Sequence, residues 1–183
     1  FTKEDIFKAV SAVVYENGKM IENPFKKWSD INSSLPEIDI DVLAPPPSSG
    51  TRDAFVELVL HDVCKSKYKM DKKTYKENCS ALREDGFVTE VGENDNLIIE
   101  KLTDNSERFG IFGFSFLDQN RDRVQGSFVD GIEPSFDNIA DGSYKVSRPL
   151  YFYVKKEHIG VVPGIEDYTD YFMSLSIEGG PLE

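Results

Sequence analysis

The chain has 183 residues, of which 39% are hydrophobic and 12% aromatic, a composition that supports one substantial core and excludes an intrinsically disordered protein. Its net charge of −12 argues against nucleic acids and anionic membranes as partners, because both attract basic surfaces. No apolar run approaches the roughly 20 residues that a membrane-spanning helix needs.

The first residues predict a helix. Thr2 and Asp5 occupy the positions of a capping box, and an apolar set at helical spacing follows them over residues 3–14. Residues 15–34 are expected to form a long irregular connector with Trp28 as its anchor. Because the chain starts without Met and without a signal peptide, we expect a processed form or an excised domain.

The next segment predicts a strand followed by two helices. Residues 38–43 alternate between apolar and polar side chains, which is typical of a strand, and three prolines at 45–47 end this strand. Apolar residues at helical spacing then predict helices over residues 52–63 and 72–82.

The second half of the chain again alternates strands with helices. The patterns predict a strand at 87–91, a short helix around 97–102, a central buried strand at 109–117, a turn at 118–123, strands at 124–129 and 150–154, a short helix within 133–140, and a last helix that opens at Pro163 and runs to Leu175. This order predicts an α/β protein, in which helices flank a mixed central sheet. We expect one domain over residues 1–183.

The turn at Ser48, Ser49, Gly50, Thr51 and Arg52 is the strongest candidate site. Free N–H groups at a helix start favour an anion, hydroxyl groups add neutral donors, and a guanidinium fork suits phosphate or carboxylate. The same residues also suit an ordinary helix N-cap after a proline stop, and spacing leaves the two interpretations open.

Other reactive residues form no recognisable catalytic or metal-binding set. His61 and His158 lie far apart, and no Ser-His-Asp or Cys-His arrangement follows from spacing. Cys64 and Cys79 have no histidine at zinc-ligand spacing. The sequence leaves open whether they form a disulfide or remain two thiols, because this depends on the compartment. We therefore expect no enzyme activity, no metal and no cofactor.

Residues 45–55, with the sequence PPPSSGTRDAF, closely resemble the substrate-binding signature of the phosphate-binding proteins of bacterial phosphate ABC transporters. Further segments that are similar to this family are residues 27–32, 109–114 and 141–151. The resemblance implies one lobe of a type II periplasmic-binding-protein fold. Residues 1–150 would form the lobe body, and residues 151–183 the return crossover towards a missing N-terminal lobe.

The resemblance also implies roles for the residues of the turn. Ser49, Gly50 and Thr51 would hold phosphate oxygens, and Ser48 would contribute or shape the turn. Some family members carry an arginine four residues before the serine of the motif, where this chain has Pro45. Arg52 would then supply the cationic contact.

By the same resemblance, the ligand is inorganic phosphate and the delivery partner is the membrane permease of an ABC transporter. An exported, periplasmic protein of this kind would oxidise Cys64 and Cys79 to a disulfide. The isolated lobe should bind phosphate weakly, at millimolar concentration or not detectably. The alternatives are a binding protein for another oxyanion and a secreted phosphatase-like hydrolase.

Overall fold

The computed structural model describes residues 1–92, 94–149 and 151–175. The chain divides into two compact units: the first runs from Phe1 to Arg148, and the second begins at Pro149. The helices are α1 Lys3–Val10, α2 Trp28–Ile31, α3 Gly50–Phe55, α4 Lys72–Asn78, α5 Asp95–Asp104, α6 Phe114–Gln119, α7 Phe136–Ala140 and α8 Ile165–Leu175. The strands are β1 Val13–Glu16, β2 Lys19–Glu22, β3 Val42–Ala44, β4 Val88–Glu90 and β5 Phe109–Gly110.

The first unit is built on a parallel sheet of three strands in the order β4-β3-β5. Successive side chains of a strand point to opposite faces, so β3 serves two helical layers. Val42 and Ala44 belong to the main apolar cluster, whereas Leu43 belongs to a second cluster with Val91 and Ile98. Helices on both faces explain why all three β3 residues are buried.

The helix that follows β3 forms the main core together with α1. α3 continues without a break through two π-helical segments, Val56–His61 and Val63–Lys67, so that residues 50–67 are helical throughout. Phe55 and Val59 of this helix join Phe7 and Val10 of α1 in the main cluster. This repeat of apolar residues at helical spacing matches the sequence prediction.

α5 covers the other face of the sheet, close to β5. A Cβ atom at Gly110 would lie 2.7 Å from Ile98 Cγ2 and 2.9 Å from Leu102 Cδ1. Glycine at this position is therefore a packing requirement, because any side chain would collide with Ile98 and Leu102 of α5.

The disulfide that the family resemblance implied is present. Cys64, near the end of the helical segment 50–67, is bonded to Cys79, which caps the C-terminal end of α4. Both cysteines are fully buried in the main cluster. The bond therefore fixes α4 against the long helix from inside the core.

The α/β class with helices flanking a central sheet is confirmed, and the sheet found, expected to be mixed, is parallel in both of its pairings. Several predicted boundaries in the first half are wrong. α1 ends at Val10 rather than at residue 14, because Val13–Glu16 pairs with Lys19–Glu22 as an antiparallel hairpin. The predicted irregular connector over residues 15–34 therefore contains most of that hairpin and the short helix α2. Trp28 is its buried anchor, as expected.

The predicted central strand over residues 109–117 is also wrong. Its strand is limited to Phe109–Gly110 at the edge of the sheet, and Phe114–Gln119 is helical, with Gly113 as N-cap. The predicted strand at 124–129 is replaced by irregular chain with one isolated bridge between Val129 and Ile132. An apolar run without clear periodicity does not distinguish a buried strand from a helix.

In the second unit, α8 confirms the predicted last helix. Phe152 packs edge-on against Phe172 of α8, with ring centroids 4.9 Å apart. The predicted strand at 150–154 is not formed over residues 151–154, which have no regular structure, and Leu150 lies outside the described residues. None of the helices in the described part of the chain could cross a membrane.

We expect the disulfide to contribute a large part of the stability. The cysteines are 15 residues apart, and closing a loop of that length contributes about 3 kcal/mol in the chain-entropy model. Cys64→Ala/Cys79→Ala should therefore lower the free energy of unfolding by about 3 kcal/mol in urea denaturation. Dithiothreitol should produce a similar loss in the original chain and no change in the variant. An original chain that is equally stable with and without dithiothreitol would contradict the prediction.

Candidate anion-binding site

The candidate site begins where β3 leaves the sheet. β3 ends at Ala44, and the three prolines that follow turn the chain outward from a buried Pro45 to an exposed Pro47. The Ser49 N–H donates to the carbonyl of Pro46 at 3.0 Å, which closes the turn. The carboxyl end of a parallel strand thus leads directly into the start of a helix, a common location of ligand sites in α/β proteins.

The helix start leaves backbone donors available. Ser49 is the N-cap, and its Oγ accepts a hydrogen bond from the Thr51 N–H at 3.2 Å. Within the described residues, the N–H groups of Gly50 and Arg52 have no recorded acceptor. The dipole of the helical segment 50–67 adds partial positive charge at the same end. Local chemistry therefore favours an anion at this position.

Gly50 is not required by the fold. Its φ does not lie in the left-handed region, and a Cβ atom built there would meet no atom within 4 Å. Gly110, by contrast, has α5 pressed against it. A helical glycine disfavours folding relative to alanine, by up to about 1 kcal/mol in a helix interior. The missing side chain at position 50 therefore needs an explanation other than packing.

Arg52 is buried beneath the turn, with 8% of the residue exposed. Its Nη1 donates to the Pro45 carbonyl oxygen at 2.9 Å and to Glu90 Oε1 at 3.2 Å. Of the three guanidinium nitrogens of Arg52, Nη1 is the one with a hydrogen-bond partner among the described residues. Arg52 therefore places a permanent positive charge directly under the helix start while it ties the turn to the end of β4.

The structure brings the predicted site residues together at one surface. Ser48 and Gly50 are exposed, Ser49 and Thr51 are partly buried, and Arg52 lies behind them. This arrangement is compatible with both interpretations of the turn, since Ser49 does cap the helix. Cys64 and Cys79 are buried elsewhere in the core and take no part.

Glu90 is a neighbour of the site that the sequence analysis missed. It is the last residue of β4, and its side chain is 48% exposed where it meets Arg52. The two residues are 38 positions apart, so no local motif links them. The available signal was topological, because the carboxyl ends of adjacent parallel strands meet at one edge of a sheet.

The described residues show no catalytic constellation. His61 Nε2 is hydrogen-bonded to Ser80 Oγ at 2.8 Å, and His158 lies in a short 3₁₀ helix of the second unit. No group of three or more His, Cys, Asp or Glu residues in the described chain could hold a metal ion.

The Arg52 contacts should be unequal in strength. Arg52→Met should lower the free energy of unfolding by about 2 kcal/mol, because the buried Pro45 carbonyl loses its donor. Glu90→Gln should cost less than about 1 kcal/mol, because the half-exposed carboxylate is screened by water. Urea denaturation of both variants measures the difference. A larger loss for Glu90→Gln than for Arg52→Met would show that the ion pair, not the carbonyl contact, dominates.

The chain is similar in sequence to phosphate-binding proteins of staphylococci. It is 32% identical over 146 residues to phosphate-binding protein PstS of Staphylococcus haemolyticus, covering 77% of this chain and 39% of that protein. It is 29% identical over 153 residues to the PstS of Staphylococcus saprophyticus, covering 81% of this chain and 41% of that protein. The chain therefore spans about two fifths of the length of these relatives.

Solved structures share the fold at lower sequence identity. A protein of Planctomyces limnophilus, described as a possible phosphate-binding protein, matches all of this chain and 56% of its own, with a TM-score of 0.66 and 22% identity. An ABC-type phosphate transport receptor from Vibrio cholerae matches 98% of this chain and 58% of its own, with a TM-score of 0.55 and 18% identity. These matches support the type II binding-protein architecture.

One family model covers nearly the whole chain. It is described as the PBP superfamily domain and matches residues 1–176. Together with the parallel sheet, its helical layers and the turn at its carboxyl edge, this match leads to a plain conclusion: the chain belongs to the PBP superfamily.

Proposed function

We propose that this chain is the phosphate-binding lobe of a solute-binding protein that captures inorganic phosphate for an ABC transporter. The relatives named above are phosphate-binding proteins, and the turn at residues 48–52 carries the donors that a phosphate group needs. The chain covers about two fifths of those relatives, so a second lobe would supply the remaining contacts.

The observation that carries the proposal is that the fold does not require glycine at position 50. Neither backbone conformation nor crowding requires it, whereas a ligand that approaches the backbone closely does. With no side chain there, a phosphate oxygen can reach the exposed N–H of Gly50. An ordinary N-cap would give no such reason to avoid a side chain.

The proposed contacts combine neutral donors with one buried charge. The hydroxyl groups of Ser49 and Thr51 and the Gly50 N–H would donate to phosphate oxygens, while Arg52 would stabilise the anion from beneath. The net charge of −12 opposes an anion at long range, but ionic screening limits that field to about 10 Å at moderate salt. Nearby dipoles and donors then decide the local binding energy.

The proposed partners and compartment follow from the same reasoning. Closure of a second lobe over the turn would desolvate the ion and strengthen each hydrogen bond. The closed protein would dock on the transporter's membrane permease. The Cys64–Cys79 disulfide is consistent with an exported, periplasmic protein. The proposed role is capture and delivery without catalysis.

Gly50→Ala should separate folding from binding. Phosphate added up to tens of millimolar should shift the amide resonances of residues 48–53 in the original chain. In Gly50→Ala these shifts should be lost or require at least about tenfold more phosphate, since tenfold corresponds to about 1.4 kcal/mol. The melting temperature should not fall, because the new methyl group meets open space.

Two serine variants provide a matched control. Ser49 and Ser135 are both helix N-caps whose Oγ accepts a backbone N–H, so each change to alanine should cost about 1 kcal/mol of stability. Only Ser49→Ala should weaken phosphate binding. Unchanged shifts in Gly50→Ala, or equal weakening by both serine variants, would refute the turn as the phosphate site.

A further inference from the structure

The segment between the two cysteines concentrates positive charge outside the proposed phosphate site. We refer to that proposed site, residues 48–52, as the phosphate turn. Residues 65–76 contain six of the chain's 21 lysine and arginine residues and a single acid, Asp71, although the whole chain carries −12. The Cys64–Cys79 bond closes this segment. A strongly basic surface therefore lies on an acidic protein, held in place by a covalent link. We refer to residues 65–76 as the basic segment.

An open groove connects the basic segment with the phosphate turn. Its volume is about 820 Å³, within the roughly 300–1,000 Å³ of typical small-molecule sites. Lys65, Lys72 and Lys76 line one part of it, and Pro47 and Arg52 line another. The groove thus begins beside the candidate anion site and continues along the helix to the lysines.

The groove also contains acidic residues, but two of its three carboxylates are already paired. Asp62 lies 2.9 Å from Lys3 Nζ, and Glu57 lies 3.2 Å from Arg148 Nη1. Asp53 is the one lining carboxylate that has no ion pair among the described residues. Lys67 and Lys73 of the basic segment pair with Glu4 and Glu77 outside the groove. The uncompensated positive charge of the segment therefore lies mainly on its groove lysines.

The three groove lysines are exposed and available. Lys65, Lys72 and Lys76 form no ion pair within the described residues. His61 lies among them, and burial together with the Lys76 ammonium group lowers its pKa. The imidazole is therefore neutral near pH 7, and the lysines supply the charge of this part of the groove.

The groove wall is formed by an unusual helix. Its lining residues Val56, Glu57, Leu58 and His61 belong to the first π-helical segment, and Lys65 belongs to the second. π-Helical geometry is rare and occurs frequently at functional sites. The geometry and the charge therefore point independently to the same surface.

We propose that this groove binds a linear condensed phosphate, whose phosphate groups contact Lys65, Lys72 and Lys76. Ammonium groups bind phosphate as point charges, and three of them along a groove suit a chain of several anionic units. The preference for phosphate over other polyanions rests on the proposed function of the adjoining turn. A small anion experiences the groove's local charge, whereas a large anionic surface would also meet the acidic remainder of the protein.

Tripolyphosphate is the probe for this proposal. Titrated into the full chain at low salt, it should shift amide resonances of residues 61–76 in addition to those of residues 48–53. Lys65→Gln/Lys72→Gln/Lys76→Gln should weaken tripolyphosphate binding at least tenfold and change orthophosphate binding less than twofold. Raising the salt concentration should weaken tripolyphosphate binding to the original chain, because exposed charges are screened.

A second triple variant controls for net charge. Lys19, Lys26 and Lys101 are exposed, lie outside the groove, and form no side-chain ion pair in the described residues. Changing all three to glutamine removes the same charge and should alter tripolyphosphate affinity less than twofold. Equal weakening by both triple variants would overturn the proposal, because it would indicate attraction by total charge alone.

Two further results would overturn the groove site. If tripolyphosphate shifts only the resonances of residues 48–53, the phosphate turn binds it and the groove does not. Binding to phosphatidylglycerol vesicles without a response to tripolyphosphate would identify a membrane-facing surface instead. If orthophosphate leaves residues 48–53 unmoved while tripolyphosphate shifts residues 61–76, the groove stands and the proposed function of the turn fails.

Discussion

The buried charge of Arg52 constrains how the proline turn, the helix after it and the neighbouring strand can be arranged. A guanidinium group removed from water needs compensating acceptors, and here Nη1 finds them in the Pro45 carbonyl and the Glu90 carboxylate. One nitrogen thereby links the ends of two adjacent strands to the first turn of the helix. The hydrogen-bond donors of residues 49–51 are therefore held in a fixed position relative to these two strands.

The parallel sheet gives this arrangement its direction. β3 is its middle strand, and it sends Val42 and Ala44 into one apolar layer and Leu43 into the other. Because β3 is packed on both faces, the turn that follows it lies at a fixed position at the carboxyl edge of the sheet. The disulfide adds a second constraint farther along the same helix. The helix that begins at the proposed site is consequently anchored near both of its ends.

The features of the candidate site that the sequence predicted depend on neighbouring residues, and the contact that it missed there depends on distant ones. Prolines, a capping serine and helical apolar spacing are local signals, and they located the turn and the helix correctly. The aromatic run at 109–117 contains no such signal, and its division into β5 and α6 depends on Gly113 and on packing against α5. The contact between Arg52 and Glu90 spans 38 positions and follows from strand order alone.

The open space above Gly50 has a consequence for how variants of this protein would be judged. Selection for expression, solubility or heat resistance would accept alanine at this position, because the folded chain loses nothing and the helix gains. Under the proposed function, such a variant would lose anion binding, and those assays would not detect the loss. Laboratory evolution for stability alone would therefore favour variants at position 50 that fold well but lack the proposed binding, whereas at Gly110 the same selection would preserve glycine.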